Sequence, residues 1–479
     1  MAVPVILTNR LAFFEANPED YAKLRDAFAF FHPNYRFTPA YKTGGWDGKI
    51  HLLSRKQCPA GLFRAIHRDI TAETGIDFQV TYRRPELDPF LPGVTMTDPR
   101  YSYQNDCVAA MLKVLPRGGG IVIAATRAGK TAICSIAFSK IPYSCLFVVD
   151  QLDLLDQTQK ELASWLKEPI GYIGDSKYKP ERVTVATRQT LSSHLRDPRF
   201  MAWYRDVKVV VIDELHEQMN HSNFAVLEKI KPIARYGLTA TLQLKRKDIR
   251  MRAYSFAGPV IYRFPISEGI ERGVLTTGRC LQLLFEPLDI QASDYHEEYD
   301  TQILTHEVKM RSIIALATKL VEQGRYVAIL TERVRHVEDI SLLMHAVPHR
   351  MAYGKIDKLV RTQDRQSFER GDIRLLVANK VYRKGITIKR LDAIIDCAEM
   401  KSHNDAQQKY GRGIGLHPDK DELLYIDCGT DGKNRFHRAA RSRAKALREL
   451  SVDVQTVRVN TVAQALAALN KFMPEDKKS

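Results

Sequence analysis

The segment "GGGIVIAATRAGKTAICSIAF", residues 118–138, decides the fold of the region around it. A β-prone run at 121–123 leads into a loop, followed by a helix-compatible stretch that begins near Lys130. Phosphate-binding loops usually read G-x-x-x-x-G-K-[ST], and here Gly129, Lys130 and Thr131 match while Ala124 occupies the first glycine's position. Alone, the segment fits either a structural strand–helix turn or a phosphate site formed by loop N–H groups and Lys130. The phosphate site requires Ala124 to keep a negative φ.

A second motif favours the phosphate site. In "VKVVVIDELHE", residues 207–217, Asp213 and Glu214 directly follow an apolar strand. At the carboxyl end of a parallel sheet they would face the same crevice as Lys130. Asp213 is then expected to hold Mg²⁺ through water, with the Thr131 hydroxyl as a further ligand, and Glu214 to polarise an attacking water. Taken alone, the pair could equally be solvated acids at a strand end.

Four segments are expected along the chain. Residues 96–258 alternate short apolar runs with helix-length stretches, which predicts a parallel sheet with crossover helices. The rhythm restarts in residues 259–450, where the strand candidates are "RYVAILT", "IRLLVAN", "LDAIIDC" and "ELLYIDC". Residues 1–95 form a separate aromatic and basic block, and residues 451–479 form a tail with helical spacing.

Charge is the unusual feature of the composition. The 479 residues include 72 Lys+Arg and 56 Asp+Glu, a net charge of +16. This surplus favours a polyanionic partner, although a basic soluble enzyme is the alternative. The seven cysteines form no C-x-x-C pair, so neither a disulfide framework nor a structural metal is expected. Without an apolar run of about 18 residues, we expect no membrane association and a cytoplasmic location.

The motifs together resemble those of superfamily 2 helicases. "AATRAGKT" is similar to motif I, "DELH" to motif II and "GLTATL" to motif III; "VATRQTLS", "NKVYRKGITIKRLDAII" and "QKYGRGIG" are similar to motifs Ib, V and VI. The resemblance implies an α/β fold with two tandem RecA-like domains, each a parallel sheet with flanking helices, after a small α+β N-terminal domain. ATP and Mg²⁺ are the implied cofactors.

The resemblance also implies residue roles. Lys130, Asp213, Glu214, Gln408 and Arg412 would be catalytic. Gln104 in "PRYSYQ" would read adenine, and the remaining nucleotide contacts would come from Thr126, Arg127, Ala128, Gly129, Thr131 and Gly385. Nucleic acid would contact Thr187, Arg188, Gln189, Arg333 and Arg383, and the two sites would be coupled through His216, Thr239 and Thr241.

A narrower resemblance lies in residues 34–63, "NYRFTPAYKTGGWDGKIHLLSRKQCPAGLF". They are similar to the leading domain of phage UvsW-type recombination helicases, which remodel branched DNA. Aromatic residues alternate there with cations that would contact DNA, namely Arg36, Lys42, Lys49, Arg55 and Lys56. Since aromatic residues at this spacing are more often core, we expect Trp46 to be buried or to pack on a turn, and only the cations to touch DNA.

The implied activity is ATP-dependent DNA unwinding and branch migration at Holliday junctions and stalled forks. The implied partners are single-stranded, branched or junction DNA and recombination or replication proteins, in the host cytoplasm if the chain is phage-encoded. An RNA helicase and an ATP-gated clamp with weak hydrolysis are the alternatives.

Motif VI departs from the family pattern, because Gly415 stands where a second arginine is usual. Arg127 in the loop is also unusual. Loss of an arginine finger can cost roughly 10³–10⁵ in rate. We expect Arg412 to suffice with help from another arginine, Arg383 or Arg333; slow hydrolysis is the alternative.

Overall fold

The computed structural model describes residues 2–219, 221–242, 245–290, 294–379, 388–399 and 403–473, without the side chains of residues 221, 222, 358, 403 and 404. The chain divides into two compact units. The first comprises residues 1–125 and 129–264, and the second comprises residues 126–128 and 265–479. Among the described helices, none is both long and apolar enough to cross a membrane.

The N-terminal region of the first unit is a small α+β layer, as predicted. Its elements are β1 (Val3–Leu7), β2 (Leu11–Phe14), α1 (Pro18–Ala27), β3 (Ala29–Phe31), α2 (Pro39–Lys42), β4 (Lys49–His51), β5 (Gln57–Pro59), α3 (Ala60–Thr74) and β6 (Phe78–Tyr82). The main sheet has the order β5-β2-β1-β6, and β3 pairs with β4 in a separate antiparallel hairpin. Alternate residues of β1 are buried against α3, because successive strand side chains point to opposite faces.

The rest of the first unit is a RecA-like domain. Its elements are α4 (Tyr103–Val114), β7 (Gly119–Ala124), α5 (Lys130–Lys140), β8 (Cys145–Val149), α6 (Leu152–Leu166), β9 (Ile170–Gly174), β10 (Lys177–Lys179), β11 (Val183–Thr187), α7 (Arg188–Ser193), α8 (Pro198–Asp206), β12 (Val209–Ile212), α9 (Leu215–Gln218), α10 (His221–Ile230), β13 (Ala234–Thr239), α11 (Lys247–Ala257) and β14 (Val260–Phe264).

The sheet of this domain has the order β10-β9-β11-β8-β12-β13-β7-β14 and is parallel except at β10. Strand β12 is apolar and buried throughout, as a parallel strand covered by helices on both faces must be. Strand β14 pairs with β7, so the domain continues to Phe264 rather than ending at residue 258. The strand that lies between β7 and β12 is β13.

The N-terminal region packs tightly on this RecA-like domain. A Cβ added to Gly61 on α3 would lie 2.6 Å from the Tyr254 carbonyl oxygen and 2.7 Å from Gly258 Cα, so the two backbones touch. Met251 of α11 belongs to the N-terminal core. Asn9 Nδ2 also donates to the Ile233 carbonyl at 2.8 Å. Residues 1–95, expected as a separate domain, therefore share a core with the first motor domain.

The second unit is another RecA-like domain. Its elements are α12 (Ile266–Glu271), β15 (Thr277–Phe285), α13 (Tyr295–Tyr299), α14 (Glu307–Glu322), β16 (Val327–Leu330), α15 (Val334–Leu343), β17 (His349–Ala352), α16 (Lys358–Arg370), β18 (Leu375–Ala378), β19 (Ala393–Asp396), α17 (His403–Gly413), β20 (Glu422–Thr430), α18 (Arg435–Arg448), β21 (Asp453–Val459) and α19 (Val462–Phe472). Its parallel sheet has the order β17-β18-β16-β19-β20-β15-β21. The four predicted strands are β16, β18, β19 and β20.

The predicted C-terminal tail is instead part of this domain. Strand β21 pairs in parallel with β15, and Ala465, Leu469 and Phe472 of α19 are buried in the core. The helical prediction for 462–473 is confirmed, but a domain end at residue 450 is wrong, since the sheet and core extend beyond it.

All seven cysteines lie among the described residues, and every one is buried and unpaired. Burial raises the pKa of the Cys145 thiol to about 12 and that of the Cys134 thiol well above its usual value.

Candidate nucleotide and nucleic-acid sites

The phosphate loop, residues 124–131, joins β7 to α5 within the predicted strand–loop–helix. Gly129 has a φ of 72°, in the left-handed region, and α5 begins at the next residue. Ala124 is the last residue of β7 and lies outside the positive-φ residues, as the phosphate interpretation required. Arg127 has a φ of 73°, which is uncommon for a residue with a side chain.

Gln104 lies against this loop. A Cβ on Gly129 would be 2.6 Å from Gln104 Nε2, so the buried amide on α4 abuts the loop backbone. The neighbouring Tyr103 ring stacks on Phe264 at a centroid distance of 3.7 Å, which fixes α4 on the edge strand β14. Adenine recognition by Gln104 stays a prediction.

Asp213 and Glu214 lie beside Lys130 at the carboxyl end of the sheet. Lys130 Nζ is 3.6 Å from Glu214 Oε1, and the Asp213 N–H donates to the Val148 carbonyl at 3.0 Å. Asp213 Oδ1 is buried and has no hydrogen-bond partner among the described residues. Burial, and then the charge of Glu214, raises the pKa of Asp213 to about 6, while Lys130 opposes the rise.

These residues fit a nucleoside triphosphate with a divalent cation. A buried carboxylate oxygen without a protein donor is suited to a cation ligand or its water. The loop N–H groups and Lys130 are suited to the phosphates. The residues from the two motifs thus come together as expected, although β13 separates the strands that carry them.

The proposed coupling residues meet at the end of β13: Thr239 is its last residue, Thr241 follows it, and His216 lies on α9. His216 Nδ1 and Thr239 Oγ1 are 2.9 Å apart, and the Thr239 hydroxyl donates to the Thr241 carbonyl at 2.7 Å. The motif after β12 is therefore joined by hydrogen bonds to the motif at the end of β13. A coupling role for these three residues stays a prediction.

Motif VI lies on α17 in the second unit. Lys409 is buried, with its Nζ at 2.8 Å and 2.9 Å from the two Asp396 carboxylate oxygens and 2.9 Å from Asp405. This buried ion cluster holds the helix that carries Gln408 and Arg412, both half-buried. Sequence reasoning missed it, although the lysine within "QKYGRG" was visible.

Arg383 and Arg333 are the two candidate substitute arginines. Arg383, together with Gly385, lies outside the described residues. Arg333 forms an ion pair with Asp300, and its guanidinium carbon lies 4.2 Å from the centre of the Tyr299 ring. These contacts give Arg333 a structural role in the second unit; its contact with nucleic acid stays a prediction.

The candidate nucleic-acid residues of motif Ib are not equally exposed. The Thr187 side chain is buried and caps α7 by accepting from the Thr190 N–H. The Arg188 guanidinium is 3.0 Å from Asp150 Oδ1, whereas Gln189 is exposed. The Thr187 hydroxyl therefore serves the helix end, and contact of Thr187, Arg188 and Gln189 with nucleic acid stays a prediction.

The predicted DNA-contacting cations of the N-terminal region are largely accessible. Arg36, Lys42, Arg55 and Lys56 are exposed, and Lys56 Nζ also donates to the Ala16 carbonyl at 2.8 Å. Lys49 is half-buried and forms an ion pair with Asp26.

One aromatic residue there matches the expectation, and two others differ from it. Trp46 packs on a turn, donating from Nε1 to the Lys49 carbonyl at 3.0 Å, as predicted. Phe37 and Tyr41, expected in the core, are exposed by 79% and 37%. Phe31, which sequence reasoning did not select, is 50% exposed. The spacing of aromatic residues in the sequence does not distinguish these rings from core residues. A short hairpin buries only one of its faces, and the spacing does not show which face that is.

Comparison with known proteins follows this division of the chain. Residues 10–81 match the family "DNA helicase UvsW, N-terminal", residues 98–244 match "Type III restriction enzyme, res subunit", and residues 308–414 match "Helicase conserved C-terminal domain". The chain is 25% identical to the ATP-dependent DNA helicase uvsW of Enterobacteria phage T4, over 83% of this chain and 84% of that protein.

Two further proteins are similar to most of this chain. The chain is 22% identical to the DNA 3'-5' translocase XPB2 of Sulfurisphaera tokodaii, covering 71% of this chain and 84% of the relative. The structure of the Type ISP restriction-modification enzyme LlaBIII bound to DNA matches with a TM-score of 0.57 at 16% identity, over 79% of this chain and 32% of that one. That likeness shows a shared fold.

The class follows from the two RecA-like sheets, from the phosphate loop with its acidic partner motif, and from the family matches on both sheets. The chain is a superfamily 2 ATP-dependent helicase. Its N-terminal region makes it a helicase of the UvsW type.

Proposed function

We propose that this helicase is a DNA translocase that remodels branched DNA, migrating Holliday junctions and reversing forks in recombination, repair and replication. The observation that carries the proposal is the UvsW-type N-terminal region, whose exposed cations share one compact unit with the motor domain. A region fixed to the motor can hold the duplex or junction while the motor moves along one strand. Recombination or replication proteins are the partners we propose with it.

For the nucleotide, we propose ATP with Mg²⁺, held by Asp213 and Thr131. Mg²⁺ would neutralise charge that develops on the β and γ phosphate oxygens. Lys130 binds the same oxygens, and Glu214 orients the attacking water. Gln408 and Arg412 are the proposed contributors from the second RecA-like domain.

The test is steady-state ATP hydrolysis without nucleic acid and with single-stranded DNA, a four-way DNA junction or RNA. We expect the strongest stimulation from the junction, and loss of turnover in Lys130→Ala and Glu214→Gln. Stimulation by RNA equal to that by DNA would replace the proposal with an RNA helicase. Full turnover in either variant would overturn the assigned site.

Gly415 favours one other function, an ATP-gated clamp. If the wild type hydrolyses ATP weakly on every substrate while binding DNA tightly, and Gly415→Arg raises turnover, the clamp replaces the translocase. If wild-type hydrolysis is strong and Gly415→Arg leaves it unchanged, Arg412 suffices.

A further inference from the structure

One surface of the N-terminal region exposes several aromatic rings together. The aromatic lobe, residues 29–51, consists of the β3–β4 hairpin and its long connection. Phe31 and Tyr35 have ring centres 4.8 Å apart, and Tyr35 and Tyr41 are likewise 4.8 Å apart, edge to face. Phe37, in the same connection, is 79% exposed. Exposed large apolar residues clustered in this way commonly mark an interaction site.

The lobe is held in place by contacts with α11 and within its own turn. Phe30 is buried, and the Arg252 guanidinium of α11 lies 5.2 Å from its ring centre. A Cβ on Gly48 would lie 2.6 Å from the Tyr35 ring, so the turn accepts that ring because it has a glycine there. The exposed rings therefore sit on an ordered frame, which lowers the entropy cost of binding.

Cations accompany the rings. The Arg36 guanidinium carbon lies 5.5 Å from the Tyr35 ring centre, and Lys49 Nζ lies 5.4 Å from that of Phe31, directly across the hairpin. Between His32 and Gly45 there are two cations, Arg36 and Lys42, and no carboxylate. An apolar face with positive charge at its border suits a ligand with flat rings and phosphates, and is poorly suited to an uncharged apolar protein surface.

A cavity opens beside the rings. Its volume is about 440 Å³, and Phe31 and Tyr35 line one side while Arg246 and Lys247, near the start of α11, line another. The carboxylates of Asp26, Glu73 and Asp248 also line it; Asp26 pairs with Lys49 and Asp248 with Arg246, so the phosphates are expected at Arg36 and Lys42 outside the cavity. This volume lies within the range of small-ligand sites, roughly 300–1,000 Å³. Helix α11 begins at Lys247, a few residues after the Thr239–Thr241 motif of the motor domain. The cavity therefore lies between the aromatic lobe and the start of α11.

We propose that the aromatic lobe is a stacking site for unpaired DNA bases at a branch point, with the phosphates directed to Arg36 and Lys42. The inference rests on the proposed function and deepens it by naming the part of the DNA that the N-terminal region recognises. Base stacking on aromatic side chains is independent of sequence, which suits an enzyme that moves along DNA.

The test uses the full chain and DNA containing 2-aminopurine, whose fluorescence is quenched by stacking. Two DNAs are compared, a duplex and the same duplex carrying a single-stranded flap. Each is titrated with the wild type, with the lobe variants Phe37→Ala and Tyr41→Ala, and with the matched control Phe90→Ala. Phe90 is an aromatic residue that is 43% exposed and lies outside the lobe. We expect the flap-to-duplex affinity ratio and the quenching to fall about tenfold in the lobe variants. Phe90→Ala should resemble wild type.

Unchanged quenching and an unchanged affinity ratio in both lobe variants would overturn the stacking site. Wild-type self-association that is lost in Phe37→Ala, without any flap preference, would assign the lobe to a second copy of the chain instead. Neither result depends on strand movement, so failure of the wild type to migrate a junction would count against the proposed function and leave the stacking result standing.

Discussion

At Gly129 the phosphate loop needs a glycine, and at Ala124 it does not. Gly129 has a positive φ and would place any Cβ against Gln104, whereas Ala124 closes a strand with ordinary geometry. The motif could be recognised from sequence because a positive φ in the backbone favours glycine at that position. The burial of Thr187 and the exposure of Phe37 could not be recognised in this way, because both depend on which surfaces the rest of the fold covers.

Because of His336, we expect the folding stability of the second unit to fall in acid. The side chain is fully buried on α15, its ring nitrogens have no hydrogen-bond partner among the described residues, and burial lowers its pKa to about 3. Below the unfolded-state pKa of about 6.5, the unfolded chain takes up a proton that the folded chain does not, so stability falls as the pH decreases towards 3. The loss from this residue is about 2 kcal/mol at pH 5.

Urea unfolding of the full chain at pH 7.5 and pH 5 checks this. His336→Leu should lose that part of the acid dependence, while His345→Leu, at an exposed histidine beyond the same helix, should keep it. Equal acid sensitivity in His336→Leu and wild type would contradict the prediction.

Substitution of Thr239 should separate nucleotide binding from hydrolysis and strand movement. Thr239→Val keeps the shape but removes the hydrogen bonds to His216 and the Thr241 carbonyl. We expect DNA-stimulated hydrolysis and strand displacement to fall at least tenfold, with the Kd for a fluorescent ATP analogue within about twofold of wild type. Thr239→Ser, which restores the hydroxyl, should recover most of the activity; a failure to recover would make the methyl group, rather than the hydrogen bonds, the important part.

At the scale of elements, the prediction from sequence succeeded where strands are buried on both faces. Strands β16, β18, β19 and β20 read as apolar runs because helices cover both sides of a parallel sheet. Strand β21, "DVQTVRV", has polar residues interspersed along the sheet edge, a pattern that the sequence alone does not distinguish from a tail. Strand β17 is short and also lies at an edge.

Leu469 tests the corrected boundary. Its side chain is fully buried in the core of the second unit, so Leu469→Ala should cost about 2–5 kcal/mol of unfolding free energy. The neighbouring Asn470 is exposed, and Asn470→Ala should cost little. Thermal or urea unfolding measures the stability of both variants. Equal unfolding free energies for the two variants would show that α19 is an appended tail and not part of the core.

At the scale of the whole molecule, the N-terminal region and the first RecA-like domain should fold as one. Because Met251 completes the N-terminal core and Gly61 contacts Gly258, a fragment of residues 1–264 should unfold in a single cooperative transition. A fragment of residues 1–95 should unfold at a markedly lower temperature or not fold. Circular dichroism on heating compares them, and an equal midpoint for the two fragments would show that the N-terminal region is independent.

The buried cysteines make the molecule convenient for spectroscopy. Alkylating dyes attack thiolates that solvent can reach, and the seven native thiols are enclosed, several with a raised pKa. A new cysteine on the exposed surface of each unit should therefore take up fluorophores selectively, with every native cysteine left in place. The distance between the two motor domains could then be followed in single molecules as ATP is added, without a preparatory round of core substitutions.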